Sequence, residues 1–275
     1  MKSLLIILVL ISTSTFAGAQ QSRAPQPRLT RSQIKEAERR LADLGYWTGA
    51  VDGLLNPATR SAIVAFQKWE GRTITGKLTS DELDAIRNSA APKARETGYE
   101  HVEVDVDRQV LLLVDGNDGI RVLPISTGSG KEFLEEGEPS IAYTPRGRFL
   151  VYEKVNGWDG PVGSMYYSNY ISGGVAIHGF PSVPRTPGSH GCVRVPIFAA
   201  REVSQRLPVG TIVLVYDKVS FVSGKPWVEN PKLKEAALLA SMSAGFDDYN
   251  YPTNPANKTK AFVIKKVRPR ITRAD

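Results

Sequence analysis

Ser189-His190-Gly191-Cys192-Val193-Arg194, read with the upstream Ile177-His178-Gly179-Phe180, holds the single cysteine of the 275-residue chain and two of its three histidines. A lone thiol cannot close an internal disulfide, so it is inert in a core, reactive, or a metal ligand. A core cysteine has apolar neighbours, whereas glycine and histidine surround this one. A thiol and an imidazole are the minimum set for cysteine-based acyl transfer. A free thiol is mostly protonated at neutral pH, with a pKa of about 8.5, and needs a base. His178 at hydrogen-bond reach takes the proton and leaves a thiolate–imidazolium pair. Backbone N–H groups of Gly191 and Cys192 supply an oxyanion hole, because glycine lets the backbone approach closely; losing one such donor costs about 100- to 1000-fold. His178, His190 and Cys192 also form a zinc-ligand set, but the sequence offers no fourth ligand. The expectation is thiol chemistry without metal or cofactor.

The N-terminus points to export. Lys2 precedes a short apolar run over residues 4–11, and Ala17-Gly18-Ala19 ends in small residues, the pattern of a secretory signal peptide over 1–19. The run falls short of the about 20 apolar residues of a membrane span. The expected location is periplasmic or cell-wall associated, with no stable membrane span after cleavage. The formal charge is +7, and residues 218–275 hold eleven Lys or Arg against five Asp or Glu. That basic C-terminal extension either meets an anionic wall polymer or membrane surface, or is simply solvated. No basic–aromatic interleaving supports a nucleic-acid partner.

Residues 20–28 read as a linker. Thr30-Arg31-Ser32-Gln33 has capping-box spacing, Ile34, Ala37, Leu41 and Leu44 recur helically, and Gly45 is placed to end that helix. Asn56-Pro57 opens a second helix with Ile63 and Phe66 inward, stopped at Gly71. Thr79-Ser80-Asp81-Glu82 offers another capping box for a third. The unit over 28–90 is thus a small three-helix bundle. It resembles the peptidoglycan-binding domain type 1 family through Leu41, Leu44-Gly45-Tyr46, Val51-Asp52-Gly53, Thr59, Ala65-Phe66-Gln67, Thr75-Gly76 and Leu78. The resemblance implies a noncatalytic module that docks on peptidoglycan, with Tyr46 and Trp47 as the ligand-facing candidates unless they pack in the core. Residues 88–97 read as an interdomain linker.

From Tyr99 the period changes. Val102, Val104 and Val106 alternate with Glu103, Asp105 and Asp107, which predicts a half-buried strand. Further strands are expected over 109–114, 121–126, 147–155, 174–178 and 211–216, with one helix over 196–207. The fold class is multidomain: the bundle plus a mainly-β domain with one helix. The segment 99–217 resembles the L,D-transpeptidase (YkuD-type) catalytic domain through Thr127-Gly128, Thr144-Pro145-Arg146-Gly147, Ala176-Ile177-His178-Gly179 and the Ser189 to Val195 block. Two departures stand out: the stretch between His178 and Ser189 is short, and Arg194 replaces a frequent asparagine.

The resemblance implies the substrate: the L,D bond of a peptidoglycan tetrapeptide stem as donor and a neighbouring stem's amine as acceptor, giving a 3→3 cross-link, with sensitivity to carbapenems. It implies that the Gly179 backbone carbonyl orients His178. Ser189 hydrogen-bonds either the loop or the substrate, and His190 binds substrate or shapes that loop. Arg194 holds a stem carboxylate or makes a surface ion pair. One of Tyr166, Tyr167 and Tyr170 lines the cleft, or all three are packing residues. An L,D-carboxypeptidase using the same thioester, and a noncatalytic wall-binding protein, are the alternatives.

Overall fold

The computed structural model describes residues 28–135, 137–160 and 164–219. The expected signal segment over 1–19 and the basic extension beyond residue 219 lie outside the described residues. Among those described, no helix is long and apolar enough to cross a membrane.

Three helices open the chain: α1 (Arg31–Asp43), α2 (Pro57–Trp69) and α3 (Ser80–Asn88). Thr30 caps α1 in a complete capping box with Gln33, and Asn56 caps α2 with Pro57 at its first turn. Thr79 caps α3 through the Glu82 amide. The reciprocal half of that second box is absent, because the Glu82 carboxylate goes 2.9 Å to Arg72 instead. Gly45 and Gly71 follow their helices at φ +91° and +64°, a region glycine enters without a Cβ penalty. Polar residues of the bundle's motif serve its frame. Buried Glu38 accepts from the Gly53 amide and the Thr59 hydroxyl, and Gln67 accepts from the amides of Thr75 and Gly76.

The β domain is a sandwich. One sheet has strand order β3-β2-β1-β11-β6, from β3 (Ile120–Pro124), β2 (Val110–Val114), β1 (His101–Asp105), β11 (Ile212–Tyr216) and β6 (Gly147–Leu150). The other has order β10-β9-β8-β7, from β10 (Val193–Pro196), β9 (Val175–Phe180), β8 (Met165–Ser172) and β7 (Glu153–Asp159). A small hairpin, β4 (Glu132–Glu135) and β5 (Glu138–Ile141), stands apart. Helix α4 (Ile197–Gln205) packs against β8 and β9. Val102, Val104, Leu111, Leu123, Phe149, Ile177, Val195, Val203 and Val215 share the core between the sheets. The observed architecture is the expected bundle plus mainly-β domain with one helix. The single strand expected over 147–155 is two. Consecutive amides explain the break: Val151 N–H bonds Thr211 O and Tyr152 N–H bonds Tyr170 O, so the chain changes sheets there.

The half-buried reading of β1 is corrected. All five of its residues are buried, and Glu103 is 0% exposed. The outer face of its sheet is covered on both flanks. Over β2 and β3, the bundle contributes Leu41, Tyr46, Ile63 and Phe66 to one cluster with Val110, Leu112, Val114 and Val122. Over β1 and β11, residues 89–99 lie down as a strap. Amides of Arg95 and Glu96 donate to Glu103 at 2.7 and 3.0 Å, the Tyr216 hydroxyl donates at 2.8 Å, and the Arg95 guanidinium sits 3.8 Å over the Tyr216 ring. A buried carboxylate is tolerated when charge-assisted donors surround it.

Tyr46 and Trp47 do not present themselves to a ligand as a pair. Tyr46 is fully buried, and Trp47 packs against the β-domain core. Val122 N–H donates to Gly45 O and Trp47 N–H to Val122 O, so residues 45–47 cover the edge strand β3. A Cβ at Gly45 would meet Ile120 O at 2.6 Å, which reserves that position for glycine.

Candidate active site

Strands β9 and β10 run parallel, with Ile177 opposite Val193 and His178 opposite Arg194. Continuing that register by one step sets Cys192 opposite Ala176. Cys192 thus immediately precedes the strand that pairs with the one carrying His178. The thiol is half-buried; Ala176 N–H donates to Sγ at 3.5 Å and Gly174 O lies 3.7 Å away. His178 is 3% exposed, and its Nδ1 lies 3.0 Å from Gly179 O. A carbonyl can only accept, so Nδ1 carries the proton and Nε2 keeps the lone pair. The Phe180 ring stands edge-on to the imidazole at 6.2 Å between centroids.

The electrostatics run against a resting thiolate–imidazolium pair. Burial pushes the Cys192 thiol up, with the Ala176 amide and Arg194 opposing it. Burial pushes the His178 imidazolium down, helped by Arg194 and opposed by the Gly179 carbonyl and Asp159. Both shifts favour the neutral forms. Alkylation of Cys192 by iodoacetamide is therefore expected to rise with pH and reach half its limiting rate above the ordinary thiol value of about 8.5. A flat, fast plateau over roughly pH 5 to 7 would reveal a preformed ion pair instead.

The loop before the thiol is built by Ser189. Its buried Oγ donates to Cys192 O at 2.6 Å and accepts from Gly191 N–H at 3.1 Å, so the hydroxyl is committed to the loop. The Gly191 amide must leave that bond to face an oxyanion. Thr144 Oγ1 donates to Gly191 O at 2.6 Å, giving the Thr-Pro-Arg-Gly motif a loop-holding part that its sequence did not announce. His190 is exposed and stacks on Phe133 of β4 at 4.3 Å, tying the hairpin to the loop. Arg194 lies 4.2 Å over Phe180 and donates to Gly188 O; its Nε is buried without a partner. Among the described residues it makes no ion pair.

Across β8, Tyr170 pairs with Ala176 and so stands in one row with Cys192. Its hydroxyl donates to Asp159 at 2.6 Å; burial and that carboxylate push the phenol up. Asp159 was not anticipated: no motif marks it, and it joins the site only because β7 pairs with β8. Tyr166 packs between Trp158 and Tyr167, and Tyr167 sits at φ +53° where the β8–β9 register shifts. A cavity of about 370 Å³, lined by Ser129, Tyr143, Thr144, Arg146 and Pro187 among others, adjoins the loop but includes neither Cys192 nor His178. No group of three or more His, Cys, Asp or Glu among the described residues is arranged to hold a metal ion.

Comparison with known proteins agrees with this architecture. Residues 99–215 match the L,D-transpeptidase catalytic domain family, and residues 30–86 match a peptidoglycan binding domain family. The crystal structure of an L,D-transpeptidase from Xylanimonas cellulosilytica is 37% identical with a TM-score of 0.64, covering 70% of this chain and 97% of that one. That of an L,D-transpeptidase from Stackebrandtia nassauensis is 22% identical with a TM-score of 0.41, covering 70% and 95%. A curated relative, the localization factor PodJL of Caulobacter vibrioides, is 35% identical over 60 residues; the match takes in 22% of this chain and spans 6% of that protein's length. On the identity with the Xylanimonas enzyme and the match over 99–215, the chain belongs to the L,D-transpeptidase catalytic domain family.

Proposed function

We propose that the protein is an exported cysteine L,D-transpeptidase that cross-links peptidoglycan tetrapeptide stems through a thioester on Cys192. What supports this reading is a half-buried thiol next to the strand paired with the His178 strand, and an imidazole whose Nδ1 is held by Gly179 O, leaving Nε2 as the base. Sγ attacks the carbonyl carbon between the diamino acid and the terminal D-alanine while His178 Nε2 takes the thiol proton. The imidazolium gives that proton to the departing amine as the C–N bond breaks, and the thioester remains. An acceptor amine then attacks the thioester, loses a proton to His178, and the thiol is restored, a ping-pong sequence. Backbone donors beside Cys192 stabilise the oxyanion. The guanidinium of Arg194, which makes no ion pair among the described residues, suits a stem carboxylate, and Tyr170 borders the thiol on the other side. The helical module grips the wall polymer, and location in the periplasm or wall follows from the substrate.

Mixing the mature protein with tetrapeptide stems and weighing the products tests this. The expected product is a cross-linked dimer, equal in mass to two stems less one alanine. Tripeptide alone would mean that water resolves the thioester, an L,D-carboxypeptidase; unreacted stems would leave a noncatalytic wall-binding protein.

A further inference from the structure

Lys68 is a buried cation on α2, and its partners belong to the β domain. Its Nζ donates to Ile125 O at 2.7 Å and to Gln109 O at 3.2 Å. Among the described residues no carboxylate pairs with it. Burying an ammonium against carbonyls alone is costly, and burial pushes its pKa down to about 7.

The held segment is the one on which the Cys192 loop rests. Gln109, at φ +56°, accepts from Thr127 N–H at 3.0 Å through its side-chain oxygen, and its amide donates to Thr127 Oγ1 at 2.7 Å. Thr127 O then takes the amides of both Gly188 and Ser189 at 2.9 Å. Ser126 and Arg194 exchange backbone bonds at 3.1 and 3.0 Å, Ser126 Oγ donates to Thr186 O, and Ser129 N–H donates to Ser189 O. Ser189 in turn fixes Gly191 and Cys192. An unbroken hydrogen-bonded path thus runs from helix α2 to the backbone carbonyl of Cys192.

We infer that Lys68 is a positioning residue for the Cys192 thiol, acting through residues 125–129, so that the wall-binding module is part of the frame of the active site. The inference rests on Cys192 being the nucleophile.

The test uses the full chain with Lys68→Met, Gln109→Leu and the double variant, measuring kcat and KM on tetrapeptide stems alongside melting temperature. Each single change is expected to lower kcat about tenfold or more with KM little altered, since small misplacements of a reacting group are expensive. Because both residues lie on one path, the double variant is expected to lose no more than the worse single one. Lys68→Arg, which keeps the cation, is expected to recover part of the loss. Unchanged kcat in a folded Lys68→Met protein overturns the inference, as do losses that multiply in the double variant or a lower melting temperature alone. If Lys68→Met does not fold, Lys68→Gln, which keeps a shorter neutral donor at the position, decides by the same kcat criterion. Failure of the wild type to turn over stems would instead overturn the assignment of Cys192.

Discussion

Cys192→Ala is expected to lower turnover of tetrapeptide stems by on the order of 10⁴-fold or more, as loss of a nucleophile does in other covalent enzymes. The same variant should show no mass increase with a carbapenem, whereas the wild type gains one adduct at that residue. The thiol is half-buried, and its hydrogen-bonding contacts are the Ala176 amide and the Gly174 carbonyl. Its loss is therefore expected to move the melting temperature by no more than about a few degrees. Binding to insoluble wall material should persist, since the helical module is untouched. Residual cross-linking at the wild-type rate in the alanine variant would sink the nucleophile assignment. A collapse in melting temperature would mean instead that the cysteine is a structural residue.

Gly179→Ala is the second substitution expected to have a large effect, and its cause is steric. An added Cβ would lie 2.4 Å from Ala200 Cβ on α4 and 3.2 Å from the Tyr166 carbonyl. Strand β9 and helix α4 must then separate, an overpacking cost of about 1–3 kcal/mol. The carbonyl being displaced is the one that holds His178 Nδ1. A shift of the imidazole by an ångström costs about 100-fold in rate, so turnover should fall further than stability alone explains. Ala200→Gly in the same chain removes the offending methyl. The double variant should regain most of the activity, at a stability cost of roughly 1 kcal/mol for glycine within a helix. Full activity in Gly179→Ala alone would show that the Gly179 carbonyl does not orient the base.

Local features of this chain were legible because their causes lie within a few residues. Thr30 with Gln33, Asn56 before Pro57, and the glycines at 45 and 71 carry their structural reasons in adjacent positions. His178 on a strand and Cys192 at the end of a loop were likewise readable from pattern and motif. Glu103 was not: its donors come from Arg95, Glu96 and Tyr216, and alternation with valines mimics a solvent-facing position. Asp159 reaches the site only through strand pairing, and Lys68 through the docking of two units. Ser189 was readable as important but not as to its role, because either use of its hydroxyl fits the same motif. The second capping box failed for a related reason, a distant arginine competing for Glu82.

The strap over residues 89–99 changes what the joining of the two units can mean. A flexible tether lets a grip and a reaction centre sample many separations, and it raises effective concentration over a broad shell. Here the connection is pinned to Glu103 and Tyr216, and the bundle shares a core with β2 and β3. The spacing between the helical module and Cys192 is thereby set by the fold. On the proposed function, an enzyme built this way would act as a gauge, joining those stems that fall at one set offset from where it holds.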